Sequence, residues 1–148
     1  MRFFLASAAF GIAAACSPST AAPDSIAAEQ TITAPSEETR VVAVLSYASW
    51  CGSCKALDPK VQAVQANADL EGVEFFALDY SARDADAYYA DAETLGVASA
   101  LQTEFEAGIK TGKLYLVSTA SGAIVGRVDK SMDEAAITAA IESAVTGA

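Results

Sequence analysis

The chain has 148 residues, 53% of them hydrophobic, with nine basic against nineteen acidic side chains, a formal charge of −10 and no histidine. That length suits one domain with a buried core. The few, scattered cations argue against a nucleic-acid face, which needs clustered Lys and Arg, and the missing imidazole removes Ser-His and Cys-His nucleophile pairs together with histidine metal ligation.

Met1-Arg2 places one positive charge before an uncharged apolar run ending at Ala15. The run is shorter than the about 20 residues of a membrane-spanning helix, so residues 1–15 read as a secretory signal peptide. Ala13-Ala14-Ala15 then precedes Cys16, which looks like a bacterial lipobox with alanine in place of the usual leucine. Lipidation of Cys16 is the expectation, with ordinary cleavage before Ala21 or Pro23 as the alternative. Residues 16–38 hold Pro18, Pro23 and Pro35 among Ser, Thr, Ala and acids without sustained periodicity. They read as a lipid-anchored or flexible linker, and an extra edge strand around Ile26–Ile32 is the other reading.

The domain is expected over residues 39–148. Arg40–Ala48 is a continuous apolar strand of the kind covered on both faces. Trp50-Cys51-Gly52-Ser53-Cys54-Lys55 follows at once, and a helical pattern runs from Lys55 to Asp69, with Leu57, Val61, Val64 and Ala68 on one face. Cys51 is thus predicted at the junction of a buried strand and a helix N-terminus, where unpaired N–H groups and the helix dipole favour a thiolate. The two-residue spacing lets Cys54 close a short disulfide with it. Pro59 removes one hydrogen bond inside that helix and should kink it.

Val73–Tyr80 is a second strand, parallel to the first through a helical crossover. Ala82–Ala107 is helical, with Tyr88, Ala92, Leu95, Leu101 and Phe105 on one face, divided at Gly96 and closed by Gly108. Tyr88-Tyr89 is expected to pack in core and half-buried positions, with a substrate-stacking pair as the other reading. Lys113–Val117 and Ala123–Val128 form a hairpin. Ser131-Met132-Asp133-Glu134 has the form of a capping box opening a last helix that buries Ile137, Ala140, Ile141 and Val145.

Strand, Trp-Cys-Gly-x-Cys-Lys, and a proline five residues beyond the second cysteine resemble the active site of thioredoxin-like thiol–disulfide oxidoreductases. The resemblance covers about residues 39–148 and implies an α/β fold: a minimal βαβαββα core with a four-stranded mixed sheet in the order second, first, third, fourth, and helices on both faces. It implies Cys51 as the catalytic nucleophile and Cys54 as the resolving thiol of a redox disulfide, with Trp50, Gly52 and Ser53 meeting the substrate. It implies no cofactor and no metal. Its partners are protein dithiols or disulfides and a separate redox partner, with the membrane reached through the lipid anchor.

The chain departs from the family twice. A buried aspartate is usual five positions before the motif tryptophan, and Leu45 stands there. The cis-proline that usually faces the cysteine pair is also missing, and Gly112 or Lys113 occupies its place in a trans chain. Lys113 then either sets a mobile charge beside Cys51 or points to solvent. The function expected is extracytoplasmic thiol–disulfide exchange on the periplasmic side of a bacterial membrane. The alternatives are a tethered binding module with a structural disulfide, or a copper or thiol chaperone using two thiolates.

Overall fold

The computed structural model describes residues 30–148. The signal segment 1–15, Cys16 and the first part of the linker lie outside them. The elements run β1 (Val41–Tyr47), α1 (Gly52–Asn67), β2 (Val73–Asp79), α2 (Ala85–Thr94), α3 (Ala98–Glu104), β3 (Lys113–Ser118), β4 (Ile124–Asp129) and α4 (Glu134–Gly147). They build one four-stranded sheet in the order β2-β1-β3-β4, the thioredoxin-like arrangement that the sequence implies. β1 and β2 are parallel, while β3 is antiparallel to both β1 and β4.

The unbroken apolar run of β1 explains its central place. Alternate residues point to opposite faces of a strand, and here both faces are covered. Val41, Ala43 and Leu45 pack with Leu57, Val61 and Val64 of α1 and with Ile137, Ile141 and Ala144 of α4. Val42 and Val44 pack on the other face with Tyr88 and Ala92 of α2 and Leu101 of α3. None of these five β1 residues is more than 1% exposed, and each buried valine or leucine stabilises the fold by about 1.5–3 kcal/mol. No amphipathic alternative for this strand competes with that burial.

α2 and α3 separate at Gly96, whose φ of +71° is costly for any residue with a Cβ. Tyr88, Ala92, Leu95, Leu101 and Phe105 are all buried. The last helix corrects one expectation. Its cap is Asp133, whose carboxylate accepts the Ala136 N–H at 2.8 Å, and the Ser131 hydroxyl is instead donated to Asp129 at the end of β4. An aspartate able to receive Ser131 two residues downstream drew that serine out of the capping role and left the next acid to take it.

Part of the expected linker is laid against the sheet. The Gln30 side-chain amide donates to the Phe75 carbonyl at 3.1 Å and accepts the Ala77 N–H at 2.9 Å, pairing with the outer edge of β2 as a strand would. Glu74 accepts the Ser36 N–H at 2.9 Å and the Thr39 hydroxyl at 2.6 Å. The Ser36 and Thr39 side chains hold its carboxyl below the usual carboxylate range. These contacts occupy polar groups that an open sheet edge leaves free.

Candidate functional site

β1 ends at Tyr47, and the chain turns through Ala48–Cys51, with the Cys51 N–H donated to the Ala48 carbonyl at 3.0 Å. Cys51 is the N-cap of α1, its backbone extended (φ −88°, ψ 111°), and its sulfur accepts the Cys54 N–H at 3.1 Å. A sulfur therefore takes the place usually filled by a serine or aspartate oxygen. The first turn of α1 carries no acid, so no side-chain carboxylate there neutralises the positive end of the helix.

Cys51 and Cys54 form a disulfide with their Cα atoms 5.3 Å apart. The two sulfurs are not equivalent. Cys51 is 9% exposed and Cys54 0%, so an incoming group meets Cys51. The Cys54 sulfur lies 3.7 Å from the Ser46 carbonyl oxygen, an acceptor for its S–H once the bond is reduced. That carbonyl also accepts the Gly112 N–H at 2.8 Å, and the Ser46 hydroxyl accepts from Tyr88 Oη at 2.9 Å. Burial raises the Tyr88 phenol well above its ordinary value, keeping it a neutral donor.

Gly112 forms one wall. It is buried with φ +88°, and a Cβ on it would meet the Ser53 Cβ at 2.7 Å and the Cys51 sulfur at 3.3 Å. The described residues contain no cis peptide. Of the two residues competing for the proline position, Gly112 lies against the disulfide. Lys113 is half-buried and pairs across the sheet with Ser46 and Asp129. Its charge helps to hold Asp129 low, after the larger effect of the Ser131 hydroxyl. Gly52 is exposed, and a side chain on it would meet nothing within 4 Å. Leu45, at the usual aspartate position, is fully buried among aliphatic side chains. Among the described residues the one buried charged side chain is Asp58, one turn beyond Cys54, which accepts from Gln62 at 3.2 Å.

Trp50, expected at the site, is held by a loop that was not foreseen. Trp50 is 47% exposed, and its indole N–H is donated to the Ser81 carbonyl at 3.2 Å. The Ser81 hydroxyl oxygen accepts the Ser49 N–H at 2.8 Å, and Asp79 in turn receives Ser81. Arg83 lies over the indole, its guanidinium carbon 4.5 Å from the ring centroid. Among the described residues, Arg83 is the sole non-glycine with a positive φ, +59°. No local pattern marks the β2–α2 connection as part of the site, since tertiary pairing alone brings it to the motif.

Among the described residues no group of three or more His, Cys, Asp or Glu side chains is placed to hold a metal ion. No helix among them is long and apolar enough to cross a membrane. The family model for thioredoxin matches residues 29–97, a span that includes both cysteines. No curated protein matches the chain. The match covers β1 through α2, and β3 and β4 complete the same sheet; the fold is thioredoxin-like, and the family match together with the Cys51–Cys54 pair supports a thioredoxin-like family with a thiol–disulfide redox function.

Proposed function

We propose that the protein is an extracytoplasmic thiol–disulfide oxidoreductase that exchanges disulfides with partner proteins through Cys51 and Cys54. The observation that carries this reading is the asymmetry of the pair. Cys51 caps α1 and is the more accessible sulfur, whereas Cys54 is sealed beneath it. In the dithiol form, the helix N-terminus stabilises a Cys51 thiolate. That thiolate attacks a partner disulfide, forms a mixed disulfide, and expels one partner thiolate, which takes up a proton. Cys54 gives up its proton and attacks the Cys51 sulfur, which re-forms the intramolecular bond and frees the second partner thiolate. Two electrons pass to the partner, and the same steps reversed oxidise a partner dithiol. Gly112 lies against the reacting sulfur and Ser53, Trp50 immediately precedes Cys51 in the chain, and Gly52 opens the helix. Lys113 opens β3 and pairs across the sheet with Ser46 and Asp129. Export rests on residues 1–15, and anchoring on a lipid at Cys16, with the membrane as the surface from which the domain works.

Trapping tests the exchange. The Cys54→Ser variant should accumulate mixed disulfides with partner proteins that dithiothreitol releases, and Cys51→Ser should accumulate none. Alkylation of reduced Cys51 should reach half its maximal rate below the ordinary thiol pKa of about 8.5. A reduction potential below about −300 mV with a sluggish Cys51 would mark the bond as structural and overturn the proposal. Incorporation of an alkyne fatty acid that is lost in Cys16→Ala tests the anchor separately.

A further inference from the structure

The proposed exchange leaves one feature of the site unused. Trp50 and Val125 are the exposed large hydrophobic side chains among the described residues, and only Trp50 adjoins the disulfide. Its indole is fixed at one edge by Ser81 and covered on one face by the Arg83 guanidinium. Arg83 reaches that position from a left-handed backbone conformation that a side chain disfavours. Such outliers persist where the surrounding structure holds them, and they cluster at functional sites.

Stacking uses the face of a guanidinium and leaves the N–H donors in its plane unengaged. Among the described residues Arg83 makes neither an ion pair nor a side-chain hydrogen bond. Asp79 and Asp84 flank it in sequence, but Asp79 receives Ser81 and Asp84 receives the Ala87 N–H at the start of α2. Lys55, exposed beside Cys54 on α1, is likewise without an ion pair among the described residues. Among the described residues Arg127 is the one cation in an ion pair, so Arg83 and Lys55 stand out by their place at the 50–55 motif and not by lacking a partner.

We infer that Trp50 and Arg83 form a specificity element that selects partner segments carrying an aspartate or glutamate next to the target cysteine. The carboxylate meets the free edge of the guanidinium in the two-pronged geometry that arginine favours, and the backbone beside it lies along Trp50 as the partner disulfide reaches Cys51. Because the overall charge repels acidic partners at long range, the selection acts at short range, in the encounter complex. The inference rests on the exchange reading above and names the class of partner it takes.

The test uses the reduced protein and short peptides closed by an internal disulfide, identical except for Glu, Gln or Lys before one cysteine. Single-turnover reduction is followed through the fluorescence of the one tryptophan of the chain, Trp50. The wild type should prefer the Glu peptide over the Lys peptide by about tenfold, a gap that narrows as salt is raised. Arg83→Ala should shrink the gap to about twofold or less, Arg83→Glu should reverse the order, and Arg83→Lys should retain part of it. The reduction potential of all three variants should stay at the wild-type value, which separates selection from damage to the redox pair. A wild type indifferent to the three peptides, or a preference that survives Arg83→Ala, overturns the inference and leaves the exchange reading intact. Failure to reduce any of the peptides, with alkylation showing Cys51 inert, overturns both.

Discussion

The two walls of the disulfide are built on opposite terms. The Gly112 wall is buried, without a side chain, and tied through its N–H to the carbonyl of Ser46, whose hydroxyl is held by Tyr88. The Trp50–Arg83 wall is exposed, made of two large side chains, and held by hydrogen bonds within loops. A protein that meets many partners at one sulfur needs a fixed surface to position the reacting bond and an adaptable one to sort what arrives. A shape that admits no Cβ supplies the first, and a cation stacked on the indole supplies the second. The same division governs which changes the site tolerates.

The largest effect should come from Gly112→Ala. The new Cβ would lie 2.7 Å from the Ser53 Cβ and 3.3 Å from the Cys51 sulfur, at a φ of +88°. The backbone conformation costs about 1–2 kcal/mol and the overlap about 1–3 kcal/mol more. Stability should fall accordingly and the rate of exchange by at least about tenfold, since small misplacements of reacting atoms are costly. Gly96→Ala is the matched control. Its φ is +71°, but its Cβ would meet nothing within 4 Å. It should lose only the about 1–2 kcal/mol of the backbone penalty and leave exchange unchanged. Urea unfolding and single-turnover kinetics on both variants would decide, and equal behaviour would show the Gly112 wall to be no tighter than an ordinary turn.

The buttress behind that wall should be sensitive to alkali. Tyr88 and Tyr115 are fully buried on the α2/α3 face. Burial, with the Glu104 charge adding and Arg127 opposing, pushes the Tyr115 phenol up to about 12, and burial raises Tyr88 as well. The unfolded chain ionises its tyrosines near pH 10. The stability these neutral phenols contribute is therefore fully present below pH 10 and is lost as pH rises from about 10 towards the folded values. By pH 11 the loss should be about 1 kcal/mol for each tyrosine, from 1.36 kcal/mol per pH unit. Thermal unfolding from pH 8 to 11 should show this slope, and Tyr115→Phe should flatten part of it. Cys51, at the surface end of the same site, should still exchange until global unfolding intervenes.

How much of this was legible follows the same division. β1 was readable because a short apolar run from Val41 to Leu45, followed at once by the motif, suits a strand covered on both faces, and the cysteine pair because a strand–motif–helix order is local. The Gly112 wall was half legible. Counting back from β3 gave Gly112 or Lys113, but the choice depends on the Ser53 side chain and the Ser46 carbonyl, which only the folded sheet brings there. The Ser46–Tyr88 bond joins residues whose patterns report burial and not partnership. Residues 30–38 read as linker because Pro, Ser and Thr do not alternate with apolar residues, yet Gln30 pairs with β2 through its side chain, an option no periodicity reveals. Arg83 carried no signal, since a left-handed arginine is a response to its surroundings.

That response gives the smallest and sharpest prediction. Arg83→Ala and Arg83→Gly both remove the guanidinium, and with it a surface cation–π contact of about 0.5–1 kcal/mol. They differ in what remains. Alanine must still hold φ at +59°, whereas glycine takes that conformation freely but brings a more flexible unfolded chain. The steric relief is about 1–2 kcal/mol and the added unfolded-state entropy about 0.5–1 kcal/mol, so the glycine variant should be the more stable by about 0.5–1 kcal/mol. Chemical denaturation of the pair in parallel measures that difference without reference to the wild type. If alanine proves equal to or better than glycine, Arg83 is not strained in solution, and the second wall is an ordinary loop that happens to lie beside a tryptophan. If glycine wins while discrimination between acidic and basic peptides disappears in both variants, the strain and the selectivity belong to the same residue, and the adaptable wall is maintained at a measurable cost to the fold.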